Sequence, residues 1–160
     1  MDTISSFLVD HTRLLPGLYV SRIDKLNNDI YITTFDIRLR RPNVEPVLNT
    51  TEIHTIEHMA ATYLRNHKQY GNKIIYFGPM GCRTGFYLIM SGSYKSADIR
   101  DLVEETFKFI VNFNGEVPGS KKDECGNYRD LDLDMAKSVS VLYLDNVISD
   151  KEHCCLDYPE

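Results

Sequence analysis

No stretch of this 160-residue chain is apolar over the roughly 20 residues that a membrane-spanning helix needs, so a helical membrane protein is not expected. Clustered positive charge is missing too. The 18 lysines and arginines are dispersed among 23 acidic residues, for a net charge of −5, and this excludes the basic footprint that phosphate backbones demand; nucleic acid is not an expected partner. The first residues carry acids, Asp2 and Asp10, where a signal peptide needs bases, which makes the cytoplasm the expected location. Cysteine is scarce. Cys154 and Cys155 are adjacent in an acidic tail, whereas Cys82 and Cys125 each stand alone beside a glycine, and this is no disulfide framework. In a reducing compartment such isolated cysteines are buried, metal-bound or catalytic. Low-complexity segments and internal repeats are also absent. What is present is the composition of an ordinary soluble protein, 42% hydrophobic and 26% charged, at a length that suits one core. A single domain over residues 1–160 is expected, with the tail from about 150 unassigned.

The early chain alternates apolar and polar residues over Gly17–Ile23 and Ile30–Leu39, with Asn27-Asn28-Asp29 as a turn between them, and this predicts two or three strands in a meander. Pro42 and Pro46 end that region. A helix is predicted to open at Asn49-Thr50-Thr51, with Glu52 in its first turn, and to run to about Tyr70 before Gly71. Lys73–Phe77 and Thr84–Met90 read as strands whose short connection, Gly78-Pro-Met-Gly-Cys82, favours an antiparallel hairpin. Ile99, Leu102, Val103, Thr106, Phe107 and Ile110 trace a helical stripe ending at Gly115; Leu131, Met135, Val139 and Leu142 suggest a last helix. The fold class is α+β: an antiparallel sheet packed against a central helix and further helices.

The central helix carries chemistry. Residues four apart on a helix lie within about 40° of each other, so His54 and His58 share one face and two imidazoles so placed can chelate one cation. Glu57 falls to the other side of His54, toward the apolar stripe of Ile53, Ile56, Ala60 and Leu64. Its carboxylate is expected at the edge of the core, where partial desolvation suits it to proton transfer. Two histidines at this spacing also occur on solvated polar faces, and His-x-x-Glu-His is also the inverzincin signature, so the bare pattern leaves a metallopeptidase open. For a third ligand, Cys125 is the strongest candidate, because thiolate and imidazole suit a tetrahedral zinc-like or ferrous site and Gly126 lets the backbone come close. Cys82 sits at the predicted hairpin turn between Gly81 and Arg83, where backbone N–H groups and a cation favour a thiolate; a buried structural cysteine is the alternative. His67 and His153 read as solvated, and the acidic run from Asp130 to Asp134 as a helix start.

Taken together, Ser6-Phe-Leu-Val-Asp-His-Thr-Arg13, Phe35-Asp-Ile-Arg38, Ile53-His-Thr-Ile-Glu-His58, Pro79-Met-Gly-Cys-Arg-Thr-Gly-Phe-Tyr87 and Cys125-Gly126 resemble the S-ribosylhomocysteine lyase family, LuxS, in that family's order. The resemblance implies that His54, His58 and Cys125 are metal ligands, with water or substrate oxygen completing the sphere. Iron(II) is the implied physiological ion, zinc or cobalt being able to take its place. It further implies that Glu57 and Cys82 are the two general acid/base residues and that Ser6, His11 and Arg38 contact substrate. The implied assembly is a homodimer with active sites at the subunit interface. Two features depart from the pattern: Tyr76 stands where an acidic residue tied to the substrate's amino group is expected, and the tail with Cys154 and Cys155 matches none of the family's motifs.

The implied reaction releases homocysteine from S-ribosylhomocysteine and leaves a dihydroxypentanedione, the precursor of a quorum-sensing autoinducer, without a redox cofactor. A thioether leaves readily only when the neighbouring carbon bears an acidic proton, so the carbonyl of the opened ribose must migrate from carbon one to carbon three through two enediolates. That needs a Lewis acid and bases able to shuttle protons on suitable sides. Two rivals are distinguishable. An inverzincin-type peptidase would take a late-helix glutamate, Glu104 or Glu105, as third ligand, and a purely structural metal site would close its sphere with a fourth protein ligand.

Overall fold

The structure, a computed structural model, describes residue 4 and residues 7–159. Four strands, β1 (Gly17–Lys25), β2 (Tyr31–Arg38), β3 (Ile74–Pro79) and β4 (Gly85–Ser91), form one antiparallel sheet in the order β1-β2-β4-β3. Three helices, α1 (Thr50–Arg65), α2 (Ser96–Asn112) and α3 (Leu133–Tyr143), pack with it around a common core, which makes the fold α+β. β1 and β2 are antiparallel neighbours, as the early alternation predicts, but the later strands do not continue the meander. The chain leaves the sheet after β2, passes through α1, and returns at the edge as β3, so that β4 fills the place beside β2.

Period-two alternation divides the sheet into two faces. Leu18 of β1, Phe35 and Ile37 of β2, and Phe86, Leu88 and Met90 of β4 enter the core with Ile53, Ile56, Met59, Ala60 and Leu64 of α1. The opposite face carries Thr34, Asp36 and Arg38 of β2, and the register sets Tyr19, Asp36 and Tyr87 in one row across three strands. Asp36 and Arg38 are nevertheless buried, at 1% and 3% exposure, because other segments cover that outer face.

α1 starts where the turn chemistry indicates. Asn49 caps it, accepting from the Glu52 backbone N–H while the Glu52 carboxylate accepts from that of Asn49, a reciprocal arrangement worth about 1 kcal/mol. It ends at Arg65 rather than near Tyr70. His67 explains the early stop: its ring Nδ1 accepts from the N–H groups of Gln69 and Tyr70, offering the backbone a turn instead of another helical repeat. In α3 the buried stripe is Ala136, Val139, Ser140 and Tyr143, not the Leu131, Met135, Val139 and Leu142 set, and Leu142 is 48% exposed. The acidic run does start this helix, with Asp132 capping the Met135 N–H.

Candidate metal centre

Helix α1 buries Ile53, Ile56 and Met59 and thereby turns His54, Glu57 and His58 to its half-buried side. Cys125 arrives from the loop between α2 and α3, and His54, His58 and Cys125 bring one ligand atom each within 4.8 Å of one another. Cys125 Sγ lies 3.4 Å from His54 Nε2, and the two imidazoles meet edge to face at 4.6 Å.

The partners of the two rings show that this donor set suits a cation. His54 Nδ1 lies 2.9 Å from the Asp130 carbonyl oxygen and His58 Nδ1 lies 2.8 Å from that of Pro118. A carbonyl oxygen only accepts, so both Nδ1 atoms must carry the proton and both Nε2 atoms keep a free lone pair, which is the state a metal-binding histidine requires. The loop that delivers Pro118 depends on glycine. Gly119 has φ +75°, and a Cβ there would stand 2.9 Å from His58 Nδ1. Asp130 also accepts from the Thr51 hydroxyl on α1, which ties the second carbonyl donor to the helix it serves.

A second group of polar residues gathers on the outer face of the sheet. Cys82 lies in the β3–β4 turn closed by the Arg83 N–H on the Met80 carbonyl, with Arg83 in the left-handed region at φ 59°. Its Sγ is 3.1 Å from Thr84 Oγ1 and 3.7 Å from Arg38 Nη1. Partial burial works against the thiolate, yet the Thr84 hydrogen bonds and the Arg38 charge outweigh it, so the Cys82 thiol titrates below the ordinary cysteine value. The cation responsible is Arg38, not the adjacent Arg83. Arg38 is itself buried: it forms a two-pronged pair with Asp36, Nε to Oδ1 at 3.1 Å and Nη2 to Oδ2 at 2.5 Å, and donates its Nη1 to Thr84.

The S-ribosylhomocysteinase (LuxS) family model matches residues 4–154. The chain belongs to the LuxS family. Its LuxS relatives include S-ribosylhomocysteine lyases of Clostridium acetobutylicum, 57% identical over 164 residues and all of both chains, and of Clostridium beijerinckii, 54% identical over 159 residues and 99% of each. That of Borreliella burgdorferi strain B31 is 54% identical over 159 residues, covering 99% of this chain and all of the relative.

Of the remaining positions singled out in this LuxS chain, His11 lines a cleft with Asp36, Arg38, Tyr87 and Tyr158, its Nδ1 2.8 Å from the Val9 carbonyl oxygen. Ser6 lies outside the described residues. Tyr76 is 46% exposed and borders a neighbouring pocket with Arg22, Thr34, Tyr87 and Ile89. The glutamates an inverzincin would need are committed elsewhere. Glu104 pairs with Arg100 and Lys108, and Glu105 with Tyr63 and His67, so neither joins the ligand cluster. His67 is therefore partnered rather than free in solvent. Thr84, Asp36, Asp130 and Gly119 were not anticipated. The first two lie inside the stretches that resemble the family; the Asp130 and Pro118 contacts to the histidines use backbone carbonyls, which every residue type has, and leave no signature.

Proposed function

We propose that this chain is an S-ribosylhomocysteine lyase, a carbon–sulfur lyase that releases homocysteine from S-ribosylhomocysteine and leaves dihydroxypentanedione, in the cytoplasm and in service of autoinducer synthesis. The observation that carries the reading is the three-donor cluster with both Nδ1 atoms spent on carbonyls. Three protein donors suit a catalytic ion, since a fourth position is left for water or substrate. His54, His58 and Cys125 would hold one divalent ion per chain, iron(II) in the cell with zinc or cobalt as substitutes, and its contribution is to polarise the substrate carbonyl as a Lewis acid.

The protein's own groups move the protons. Cys82, favoured as thiolate by Thr84 and Arg38, takes a proton from the carbon beside a carbonyl and returns it to the neighbouring carbon, so that the carbonyl advances along the ribose chain. Glu57 shares this work from α1 and protonates the departing sulfur. His11 and Arg38 bind substrate, and Ser6 is assigned to the same task. Tyr76 replaces an acid that would pair with the substrate's ammonium group, so amino-group recognition is weaker by one charge-assisted contact.

The acting unit is a homodimer. In that dimer the site is completed by apposing the metal centre of one copy to the Cys82 group of another. One anaerobic assay tests the function: purified, iron-loaded protein is mixed with S-ribosylhomocysteine and free thiol is followed with a chromogenic disulfide. Stoichiometric thiol release is expected, and none from the loaded protein would overturn the reading.

A further inference from the structure

We propose that Tyr158, in the C-terminal tail, is a positioning residue of the reaction site, holding Asp36 and Arg38 in the geometry that Cys82 needs. The inference rests on the lyase reading for its kinetic consequence, and on the fold for its structural one.

The tail is docked by specific contacts. After α3 and the π-helical segment Leu144–Ile148, the chain comes back along the sheet edge. The Leu18 N–H of β1 donates to the Cys155 carbonyl at 2.9 Å, and the Ser96 hydroxyl at the start of α2 donates to that of Leu156 at 2.9 Å. The strand makes room for it. A Cβ on Gly17 would stand 2.6 Å from the Cys155 carbonyl oxygen, so this approach requires glycine. Beyond these anchors the Tyr158 ring stacks on Tyr19, with centroids 4.8 Å apart and planes 17° from parallel.

That stack delivers one hydroxyl to one carboxylate. Tyr158 Oη–H donates to Asp36 Oδ2 at 2.9 Å. Asp36 is buried and already takes both prongs of Arg38, so the tyrosine supplies its third donor. A buried ion pair is held in a single arrangement only when its remaining lone pairs are matched. The orientation of that carboxylate fixes the plane of the guanidinium, and the plane directs Nη1 to Thr84 and to Cys82 Sγ. A relay therefore runs from the tail to the thiol. The cleft left between Tyr158, His11, Asp36 and Arg38 measures about 20 Å³, room for about one water, so the tail is what closes this side of the pair.

The test is Tyr158→Phe, which keeps the stacked ring and removes only the hydroxyl. Alkylation of Cys82 by iodoacetamide is followed by peptide mass spectrometry across pH, alongside metal content, melting temperature, kcat and KM. With the donor gone, Asp36 draws Arg38 more strongly to itself and away from the sulfur. The alkylation midpoint is then expected to move to higher pH, with Cys82 alkylated about threefold more slowly at neutral pH while metal content stays parental. kcat is expected to fall about three- to tenfold with a smaller change in KM. A chain truncated after Asp157 should shift the profile in the same direction. A purely structural tail would leave the profile of Tyr158→Phe parental, and that result overturns the proposal whatever the turnover. If the parent protein releases no thiol from the substrate, the lyase reading fails, whereas the alkylation profile still decides the role of Tyr158.

Discussion

The ligand face of α1 and the outer face of the sheet build polar sites by different means. On α1, His54, Glu57 and His58 come from one helical turn, and only Cys125 and two carbonyl partners are brought from afar. On the sheet, Asp36, Arg38, Cys82, Thr84 and Tyr158 belong to one strand, one turn and one tail, and each is oriented by the next. A site carried by a rigid helix tolerates loss of one supporting contact better than a relay, where every member sets its neighbour's angle. Holding a cation needs donors at fixed spacing, and a helix supplies spacing. Tuning a thiol needs a hydrogen-bond donor and a charge held beside it, and here that takes several segments.

The largest effect expected is on the helix side. Cys125→Ala and His54→Ala should each lose most of the bound divalent ion by metal analysis of the purified protein, because two remaining donors do not hold a site of this kind. Cys82→Ala and Glu57→Gln should behave in the opposite way, keeping the ion and the fold while thiol release falls by about 10²-fold or more. Metal loss in Cys82→Ala would merge the two regions into one and break the comparison.

Gly119→Ala probes the carbonyl support rather than the ligands. A methyl group at φ +75° is strained and presses on His58 Nδ1, so metal affinity should drop by about tenfold and melting should come slightly earlier. Competitive chelation measures it; unchanged affinity would show that the Pro118 carbonyl is dispensable.

On the sheet side, Thr84→Val removes a hydroxyl shared by Arg38 and Cys82. The sign follows from the partners: with a donor to the sulfur gone, the Cys82 thiol rises, the thiolate fraction at neutral pH falls, and iodoacetamide should react several-fold more slowly. In the parent protein Cys82 should be alkylated well before Cys154, whose thiol is pushed up to about 11 by burial. Equal rates would argue against the Thr84 and Arg38 contacts in solution.

The smallest effect expected is at Tyr76, exposed at the rim of the outer face. Tyr76→Asp should lower KM for S-ribosylhomocysteine a few-fold with kcat little changed, since it restores one charge-assisted contact to an ammonium group. An unchanged KM would mean that the amino group is bound elsewhere.

From the sequence alone the α1 ligand pair was legible because helical spacing is a local property: His54 and His58 fall on one face whatever surrounds them. The helix start at Asn49-Thr50-Thr51 and the hairpin around Cys82 were legible for the same reason, each resting on a few adjacent residues, and the α+β class followed from the order of the elements. Cys125 could be nominated by its chemistry but not joined to the helix by spacing. What only the tertiary structure decided is which histidine nitrogen faces a cation, how Arg38 and Cys82 are coupled, and that Tyr158 reaches Asp36. Those contacts span 76, 44 and 122 residues of chain, respectively. Local sequence pattern carries periodicity and turn chemistry, whereas a buried ion pair depends on which distant segments cover it and a tuned thiol on which distant donors and charges are brought beside it.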